Sequence, residues 1–324
     1  MVLEDVCELI ADCPHTTAPD EGEGYPLIRT PNVGKGRLLL EGVHRVSKDI
    51  YDKRNMRAIP QKDDIIFARE APAGNAALIR EGQEVCLGQR TVLIRPDCEK
   101  VFPKYLVYYL LAPEQQYKLL GTANGATVAH VNLPVIRKMP IELPDIDVQQ
   151  KIVGYISIYD DLIENNQKQI KLLEEAAQRL YKEWFVDLRF PRHENTRIVD
   201  GVPEGWNWCK LEDAIQFDPK VTLTKERMKQ FIPMSALSTS SMVLDESQFT
   251  ETTSNSGSKF QNGDTLLARI TPCLENGKTA YVSGLKSDEG AVGSTEYIVM
   301  RAKTINAYMV YLLERTDDFR QSAI

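Results

Sequence analysis

Short apolar runs bounded by turn-forming residues occur in both halves of the chain. These runs are rich in β-branched and aromatic residues, and Gly, Asn, Asp or Pro flank them, which is typical of strands in a small, mostly β domain. The clearest predicted strands are residues 65–68, 91–95, 265–269 and 297–301. The pattern therefore predicts β-rich modules that each carry one or two helices.

The predicted strands belong to an internal repeat with a spacing of about 200 residues. Residues 61–69 (QKDDIIFAR) resemble residues 261–269 (QNGDTLLAR), and a proline follows three residues after each arginine, at Pro72 and Pro272. The other matched segments are LED at 3–5 and 211–213, residues 87–95 and 292–301, and YLVY and YMVY at 105–108 and 308–311. Each copy is far longer than a solenoid repeat, so the sequence indicates a duplicated domain.

Between the copies, residues 145–184 contain no proline and only one glycine, Gly154. Apolar residues recur there at alternating steps of three and four, which predicts one coiled-coil-type helix of about 40 residues, roughly 60 Å long. The stripe consists of Ile163, Ile170, Leu173, Ala177, Leu180 and Trp184. Such a stripe needs a partner helix, from a second copy or another protein. Asn166 lies in the same register, where it either fixes the helix register or faces water.

These elements predict an α+β chain in which two similar, mostly β domains are joined by a long coiled-coil-type helix. The predicted divisions are a first domain at 1–144, the helix at 145–190, a linker at 191–205 and a second domain at 206–324. A length of 324 residues is sufficient for two cores of ordinary size.

Composition restricts the location of the protein and its use of metals. The sequence contains no apolar run of membrane-spanning length, and its acidic start does not resemble a secretory signal, so we expect a cytoplasmic protein without membrane contact. Its six cysteines are scattered without a CxxC pair or a histidine cluster. This favours reduced, mostly buried thiols and no metal site.

A net charge of -7 has the wrong sign for a protein that coats DNA nonspecifically. The two outer segments are closer to balance for their length than the middle one, so each can carry a basic face that the total conceals. We therefore expect any DNA contact to come from the two repeats and not from the helix.

Motifs for catalysis on DNA are missing from the sequence. Neither an Asn-Pro-Pro or Asp-Pro-Pro string nor a P-loop occurs, and Asp264 with Glu275 and Lys278 departs from nuclease spacing by one residue. The four histidines lie in unrelated contexts. We expect no intrinsic catalysis and no cofactor.

With this organisation, several segments resemble the specificity subunit of type I restriction-modification systems. LPDIDVQQKIV at 143–153 is similar to the beginning of that family's conserved helix. YKEWFVD at 181–187, VPEGW at 202–206 and LED at 211–213 resemble the end of the helix and the start of a second target-recognition domain. The resemblance covers nearly the whole chain.

The resemblance implies a non-catalytic subunit whose two target-recognition domains each read one half of a split double-stranded DNA site. It implies that the helices dock methyltransferase subunits and, through them, the translocating restriction subunit. The sequence departs from the family at both ends. The first domain starts without a Pro-x-Gly-Trp segment, and the second stops at Ile324, before the counterpart of the conserved helix. The sequence leaves open whether this is a natural truncation or a fragment.

Candidate DNA-contacting residues are basic, amide and hydroxyl side chains in predicted loops. In the first domain they are Lys35, Arg37, Arg69, Arg90, Thr122, Asn124, Thr127, His130 and Asn132. In the second they are Lys225, Arg227, Lys229, Arg269, Thr271, Lys278, Ser294 and Thr295. Arg69 and Arg269 are shared by both repeats, so a scaffold or phosphate contact explains them better than base reading. The divergent loops 35–37 and 225–230 are better candidates for base reading.

Two other classes of protein compete with this interpretation. A coiled-coil scaffold that binds only proteins would fit the long helix and the acidic net charge. A DNA-modifying enzyme is disfavoured by the missing motifs. Co-purification with protein alone would favour the scaffold, whereas protection of a split DNA site would favour the specificity subunit.

Overall fold

The computed structural model describes residues 1–121, 130–287 and 289–323. The chain divides into two compact units, Met1–Leu162 and Ile163–Ile324, here called unit 1 and unit 2. The boundaries expected at residues 144, 190 and 205 stay predictions. Among the described residues, no helix is long and apolar enough to cross a membrane.

The described residues of unit 1 form eight strands and the start of the long helix. The strands are β1 (Cys7–Asp12), β2 (Tyr25–Ile28), β3 (Gly36–Arg37), β4 (Arg45–Val46), β5 (Ile65–Ala68), β6 (Ala76–Leu78), β7 (Cys86–Leu87) and β8 (Thr91–Pro96). The helices are α1 (Lys48–Arg54), α2 (Pro103–Leu111), α3 (Pro113–Gly121), α4 (Leu133–Arg137) and α5 (Ile146–Tyr181). The main sheet has the order β1-β8-β5-β6-β3, and a smaller sheet has the order β4-β2-β7.

The main sheet of unit 1 is buried on both faces. Phe67 on β5 and Val92 on β8 belong to a cluster that also contains apolar residues of α2 and of segment 131–141. Ile66 and Leu93 point to the opposite face and pack with Ile28 of the small sheet. Continuous apolar runs such as Ile65–Ala68 are the pattern that a strand covered on both faces requires.

In unit 2, the part of the chain that the structure describes forms ten strands and three α-helices in addition to the end of α5. The strands are β9 (Ile198–Val199), β10 (Val202–Pro203), β11 (Ile215–Phe217), β12 (Lys229–Ile232), β13 (Thr250–Thr252), β14 (Ser258–Phe260), β15 (Thr265–Ala268), β16 (Thr279–Tyr281), β17 (Ala291–Gly293) and β18 (Tyr297–Ala302). The helices are α6 (Leu211–Ala214), α7 (Ala307–Glu314) and α8 (Asp317–Ala323). Two four-stranded sheets have the orders β11-β18-β15-β16 and β13-β12-β17-β14.

The two units share the same arrangement of two central paired strands and a buried aspartate–arginine pair, here called the frame. β15 pairs with β18 as β5 pairs with β8, both antiparallel and over four residue pairs. A buried carboxylate precedes each central strand and accepts two hydrogen bonds from an arginine, Asp64 from Arg95 and Asp264 from Arg301. The predicted α+β architecture of two similar β-rich domains and a long helix is confirmed. The four predicted strands are observed to within one residue at each end.

The long helix is observed as α5, which continues into a π-helical turn at Lys182–Val186. Its predicted apolar stripe lies largely in water in the single chain. Ile163, Ile170, Leu173 and Leu180 are 46–70% exposed, Asn166 and Ala177 are exposed, and Trp184 is half-buried. The predicted packing of this stripe against a partner helix stays a prediction.

Candidate nucleic-acid interface

Arg69 directly follows β5 and is only 8% exposed. Its Nη1 donates to both carboxylate oxygens of Asp12, at 3.0 and 3.2 Å, and its Nε donates to the carbonyl oxygen of Val131 at 2.9 Å. Its Nη2 lies 3.0 Å from Nε2 of His130. Protein groups therefore occupy the guanidinium, and a contact of Arg69 with DNA stays a prediction. These contacts support the interpretation that Arg69 has a structural role within unit 1 and does not read bases.

His130 connects this buried arginine to the surface. A guanidinium can only donate, so Nε2 of His130 accepts from Arg69, and Nδ1 carries the proton that it donates to Glu70. The other carboxylate oxygen of Glu70 pairs with Arg90, whose side chain is 62% exposed. The result is a chain of polar contacts from Arg69 through the neutral His130 and the Glu70 carboxylate to the Arg90 cation at its outer end. Arg90 is thus the accessible member of this network.

A groove beside Arg90 is lined by Thr16, Thr17, Arg29 and Gln89. The Nε of Arg29 is buried and has no hydrogen-bond partner within the described part of the chain. Such a group is costly unless a ligand or water satisfies it. The exposed Thr16 and Thr17 hydroxyls lie in this groove next to an exposed cation, an arrangement suited to phosphate or base-edge contacts. Sequence reasoning missed Arg29, because one arginine after a strand carries no local signal.

The predicted reading loop of unit 1 lies between the 3₁₀ turn Thr30–Asn32 and β3. Lys35 is exposed and Arg37 is half-buried. The loop is tight, because the Gly34 amide donates to the carbonyl oxygen of Arg37 at 3.0 Å. Lys35 is therefore held on a short, fixed loop.

One further candidate of unit 1, Asn132, directly precedes α4. Asn132 is exposed at the N-cap position of that helix. Thr122, Asn124 and Thr127 lie outside the described residues.

In unit 2, Arg269 follows β15 as Arg69 follows β5, but its side chain is 58% exposed. Its Nη2 donates to the carbonyl oxygen of Thr295 at 3.2 Å and to Glu296 at 3.3 Å. Thr295 itself is exposed, and Thr271 is exposed beyond β15. The two shared arginines therefore occupy equivalent backbone positions in different surroundings.

Serine and threonine side chains surround a shallow depression near this arginine. Thr252, Ser254, Ser256, Ser294 and Thr295 all line it. Hydroxyl groups both donate and accept hydrogen bonds, so they can contact phosphates as well as base edges. The sequence identified Ser294 and Thr295 but not the three hydroxyls that come from around β13.

The other basic candidates of unit 2 differ in accessibility. Lys225 and Arg227 are exposed, and Arg227 donates to Glu289 at 2.7 Å. Lys229 is only 7% exposed, and its Nζ donates to the Thr253 carbonyl oxygen at 3.1 Å. The contact of Lys229 with DNA stays a prediction. Lys278 is half-buried and donates to the Met234 carbonyl oxygen at 3.1 Å.

Catalytic metal chemistry has no visible counterpart in the described part of the chain, where no three His, Cys, Asp or Glu side chains group closely enough to hold an ion. What the described residues do present are exposed cations and hydroxyls on the loops at the ends of two equivalent sheets. That arrangement matches a binding surface.

Comparison with known proteins decides the family. The profile of the type I restriction modification DNA specificity domain matches residues 1–175, more than half of the chain. The chain belongs to this family. The match spans unit 1 and continues through most of α5, so the resemblance inferred from the sequence is confirmed at the level of the family.

Three curated relatives are also specificity subunits of type I restriction enzymes. MjaIX of Methanocaldococcus jannaschii is 26% identical over 181 residues, which is 55% of this chain and 41% of that protein. HindI of Haemophilus influenzae is 27% identical over 146 residues, 44% of this chain and 32% of that protein. EcoAI of Escherichia coli is 34% identical over 126 residues, 37% of this chain and 21% of that protein. The matches thus span about two-fifths or less of these relatives.

Solved structures give more distant likenesses. An S subunit from M. genitalium matches with a TM-score of 0.48 at 13% identity, covering 99% of this chain and 78% of that one. The HsdS subunit from Thermoanaerobacter tengcongensis matches with a TM-score of 0.36 at 14% identity, covering 98% and 82%. Both scores are below 0.5, so no conclusion about this specificity-domain protein rests on them.

Proposed function

We propose that this chain is a sequence-specific DNA-binding specificity subunit of a type I restriction-modification complex. In this proposal each unit reads one half of a bipartite double-stranded target. The observation that carries the proposal is the family match over residues 1–175, together with the repetition of the unit 1 frame in unit 2. The chain contributes recognition and leaves catalysis to its partners.

The two units differ at one position where we expect DNA-contacting residues to differ. The carbonyl oxygen of Arg90 accepts from the Arg69 amide at 2.9 Å, and in unit 2 the carbonyl oxygen of Glu296 accepts from the Arg269 amide at the same distance. One equivalent position thus carries a cation in unit 1 and a carboxylate in unit 2. A carboxylate accepts from cytosine amino groups, whereas arginine donates to guanine or phosphate. This difference supports the proposal that the two units present different surfaces to DNA.

The partner proteins in this proposal are methyltransferase subunits, which dock on the exposed stripe of α5, and through them the restriction subunit. Ile163, Ile170 and Leu173 present apolar surface at coiled-coil spacing on a long, largely exposed helix. Self-association of two copies through the same stripe is the competing use of this surface.

A gel-shift titration tests the proposed function. The purified chain is mixed with the cognate methyltransferase subunit and with fragments of the host genome, with each protein alone as control. We expect a shifted complex on a subset of fragments. Nuclease footprinting of that complex should show two short protected sites separated by an unprotected gap. Equal mobility of every fragment, combined with a stable protein complex, would contradict DNA reading and support the scaffold that binds only proteins.

A further inference from the structure

A short segment of unit 1, residues 13–17, follows β1 and contributes to the groove beside Arg90. Thr16 and Thr17 line the groove, and the side chain of His15 is 66% exposed. The segment belongs to no helix or strand. Its conformation therefore depends on contacts from other parts of the unit.

Side chains from elsewhere in unit 1 fix the backbone of this segment. Five successive carbonyl oxygens, those of residues 12–16, each accept a hydrogen bond from a side chain. Arg57 donates to the first two at 3.0 and 3.4 Å, and Gln89 donates to the fourth at 3.0 Å. Arg54, which is only 6% exposed, donates to the third and the fifth at 3.5 and 3.0 Å. Because these donors use the backbone acceptors, a ligand would meet the side chains of the segment.

The ring of His15 is also held in place. Its Nε2 lies 3.2 Å from Oδ2 of Asp12. A carboxylate accepts, so Nε2 carries the proton and Nδ1 of the neutral ring is an acceptor. Asp12 accepts in turn from Arg69, which is 8% exposed. A carboxylate that is anchored in the unit therefore orients an exposed histidine.

The groove of unit 1 and the hydroxyl-lined depression of unit 2 lie at equivalent points of the repeat. β2 runs parallel to β7, as β12 runs parallel to β17. A Cβ added to Gly88 or to Gly293 would lie 2.7 or 2.8 Å from the carbonyl oxygen of Ile28 or Ile232, respectively. The groove includes Gln89, directly after the first glycine, and the depression includes the second glycine itself. The backbone at this point is thus shared, whereas the side chains that line it differ.

We propose that His15, Thr16 and Thr17 read base edges in the half-site of unit 1. This inference rests on the proposed function and adds residues that select the sequence. Nδ1 of His15 accepts from the amino group of adenine or cytosine, and the threonines offer hydroxyls to base edges and methyl groups to thymine. Because the segment is already fixed, binding orders little additional chain. The exposed cations Arg57 and Arg90 lie beside it and contact phosphates.

The test selects the target of the full-length chain from random DNA duplexes, with the methyltransferase subunit present. Selection is then repeated with His15→Ala and with Thr16→Ala combined with Thr17→Ala. We expect each variant to lose preference at one or two positions in one half of the motif only. Affinity for the target of the unaltered chain should fall about tenfold or more. Affinity for unrelated duplexes and the dependence on salt should stay unchanged, because no phosphate contact is removed.

His44→Ala is the matched control. His44 also lies close to an aspartate, with Nε2 3.7 Å from Asp20, but it precedes β4, on the side of β2 away from β7. This variant should select the motif of the unaltered chain. Melting curves should coincide for all these chains, because the three altered side chains of the segment are exposed.

The outcomes separate this inference from the proposed function. A motif that His15→Ala and the threonine variant select unchanged would overturn the inference alone, as would an equal loss of preference in His44→Ala. A loss of affinity for all duplexes alike, with a smaller salt slope, would assign the segment to phosphate contact and also overturn it. Failure of the unaltered chain to enrich any motif would overturn the proposed function and the inference together.

Discussion

Two buried carboxylates, Asp64 and Asp264, fasten the frames of the two units. Asp264 is fully buried and accepts from Nε and Nη2 of Arg301, at 2.6 and 2.8 Å. It also accepts from the Gln261 amide at 2.8 Å, as Asp64 accepts from the Gln61 amide at 3.0 Å. Because one side chain satisfies an arginine and a turn amide together, these aspartates join a loop to the sheet in both repeats.

Replacing Asp264 by Asn should destabilise unit 2. The change leaves the Arg301 guanidinium without its countercharge, and breaking a buried pair costs about 3–5 kcal/mol. Arg301 keeps a quarter of its side-chain surface exposed, so we expect a loss at the lower end of that range. Urea unfolding measures it, with the exposed carboxylate Glu251→Gln as control. A loss no larger than that of the control would contradict this role.

Glu314 introduces a dependence of stability on pH. It is fully buried on α7, it accepts only from the Thr279 hydroxyl at 2.6 Å among the described residues, and burial raises its pKa from 4.5 to about 8. The folded protein therefore keeps a proton that the unfolded chain loses. The contribution to stability is fully present below pH 4.5 and is lost as the pH rises through 8.

The free energy of unfolding should therefore fall by up to about 1.4 kcal/mol per pH unit between these two values from this one group. Glu314→Gln should flatten that slope, measured by urea unfolding at several pH values. Glu251→Gln should leave it unchanged. The same slope in Glu314→Gln and the unaltered chain would contradict the assignment.

Arg90 is the residue at which we expect unit 1 to contact DNA phosphate. Arg90→Gln should weaken DNA binding severalfold and reduce the slope of log affinity against log salt by about 1, without loss of stability. Lys62→Gln is the matched control, because Lys62 is an exposed cation before β5, at the end of the strand opposite to Arg69. Equal effects of both substitutions would indicate only a general charge effect.

At the scale of elements, α5 carries its apolar stripe on the outside. Leu173→Asp should abolish co-purification with the methyltransferase subunit, because it places a charge in a coiled-coil seam. The chain itself should remain folded, since Leu173 is 70% exposed. Gln169→Asp, at an exposed polar position of the same helix, should have little effect. Retention of the partner by Leu173→Asp would exclude the stripe as the docking surface.

The elements that could be predicted are those whose signal is local. β5 and β15 are continuous apolar runs between turn residues, and α5 is a long stretch without proline, so both patterns are readable from the sequence. The short helix α1 was not predicted, since its 48–54 sequence is mostly charged and lacks an apolar stripe.

The candidate site was harder to predict, because its contacts join distant parts of the chain. Arg69, Asp12 and His130 meet from positions about 60 residues apart, and neither the burial of Arg69 nor the exposure of Arg269 is visible in their shared motif. The burial of Lys229 was equally unpredictable, because its sequence neighbourhood is polar although the residue begins a strand and is buried. The repeat itself identified the frame but not the surroundings of its residues.

At the scale of the whole molecule, we propose that each unit reads one DNA half-site. The buried frame is common to both units, whereas accessible loop residues such as Lys35 in unit 1 and Lys225 in unit 2 have no shared motif. Substitutions in one unit should therefore alter only one half of the recognised sequence.

Selection from a random double-stranded DNA library, with the methyltransferase subunit present, tests this claim most directly. We expect a split motif with a spacer of fixed length. Lys35→Ala with Arg37→Ala should change or relax one half, and Lys225→Ala with Thr295→Ala should change only the other. Enrichment of no motif, or the same change in both halves with either pair of substitutions, would contradict the account.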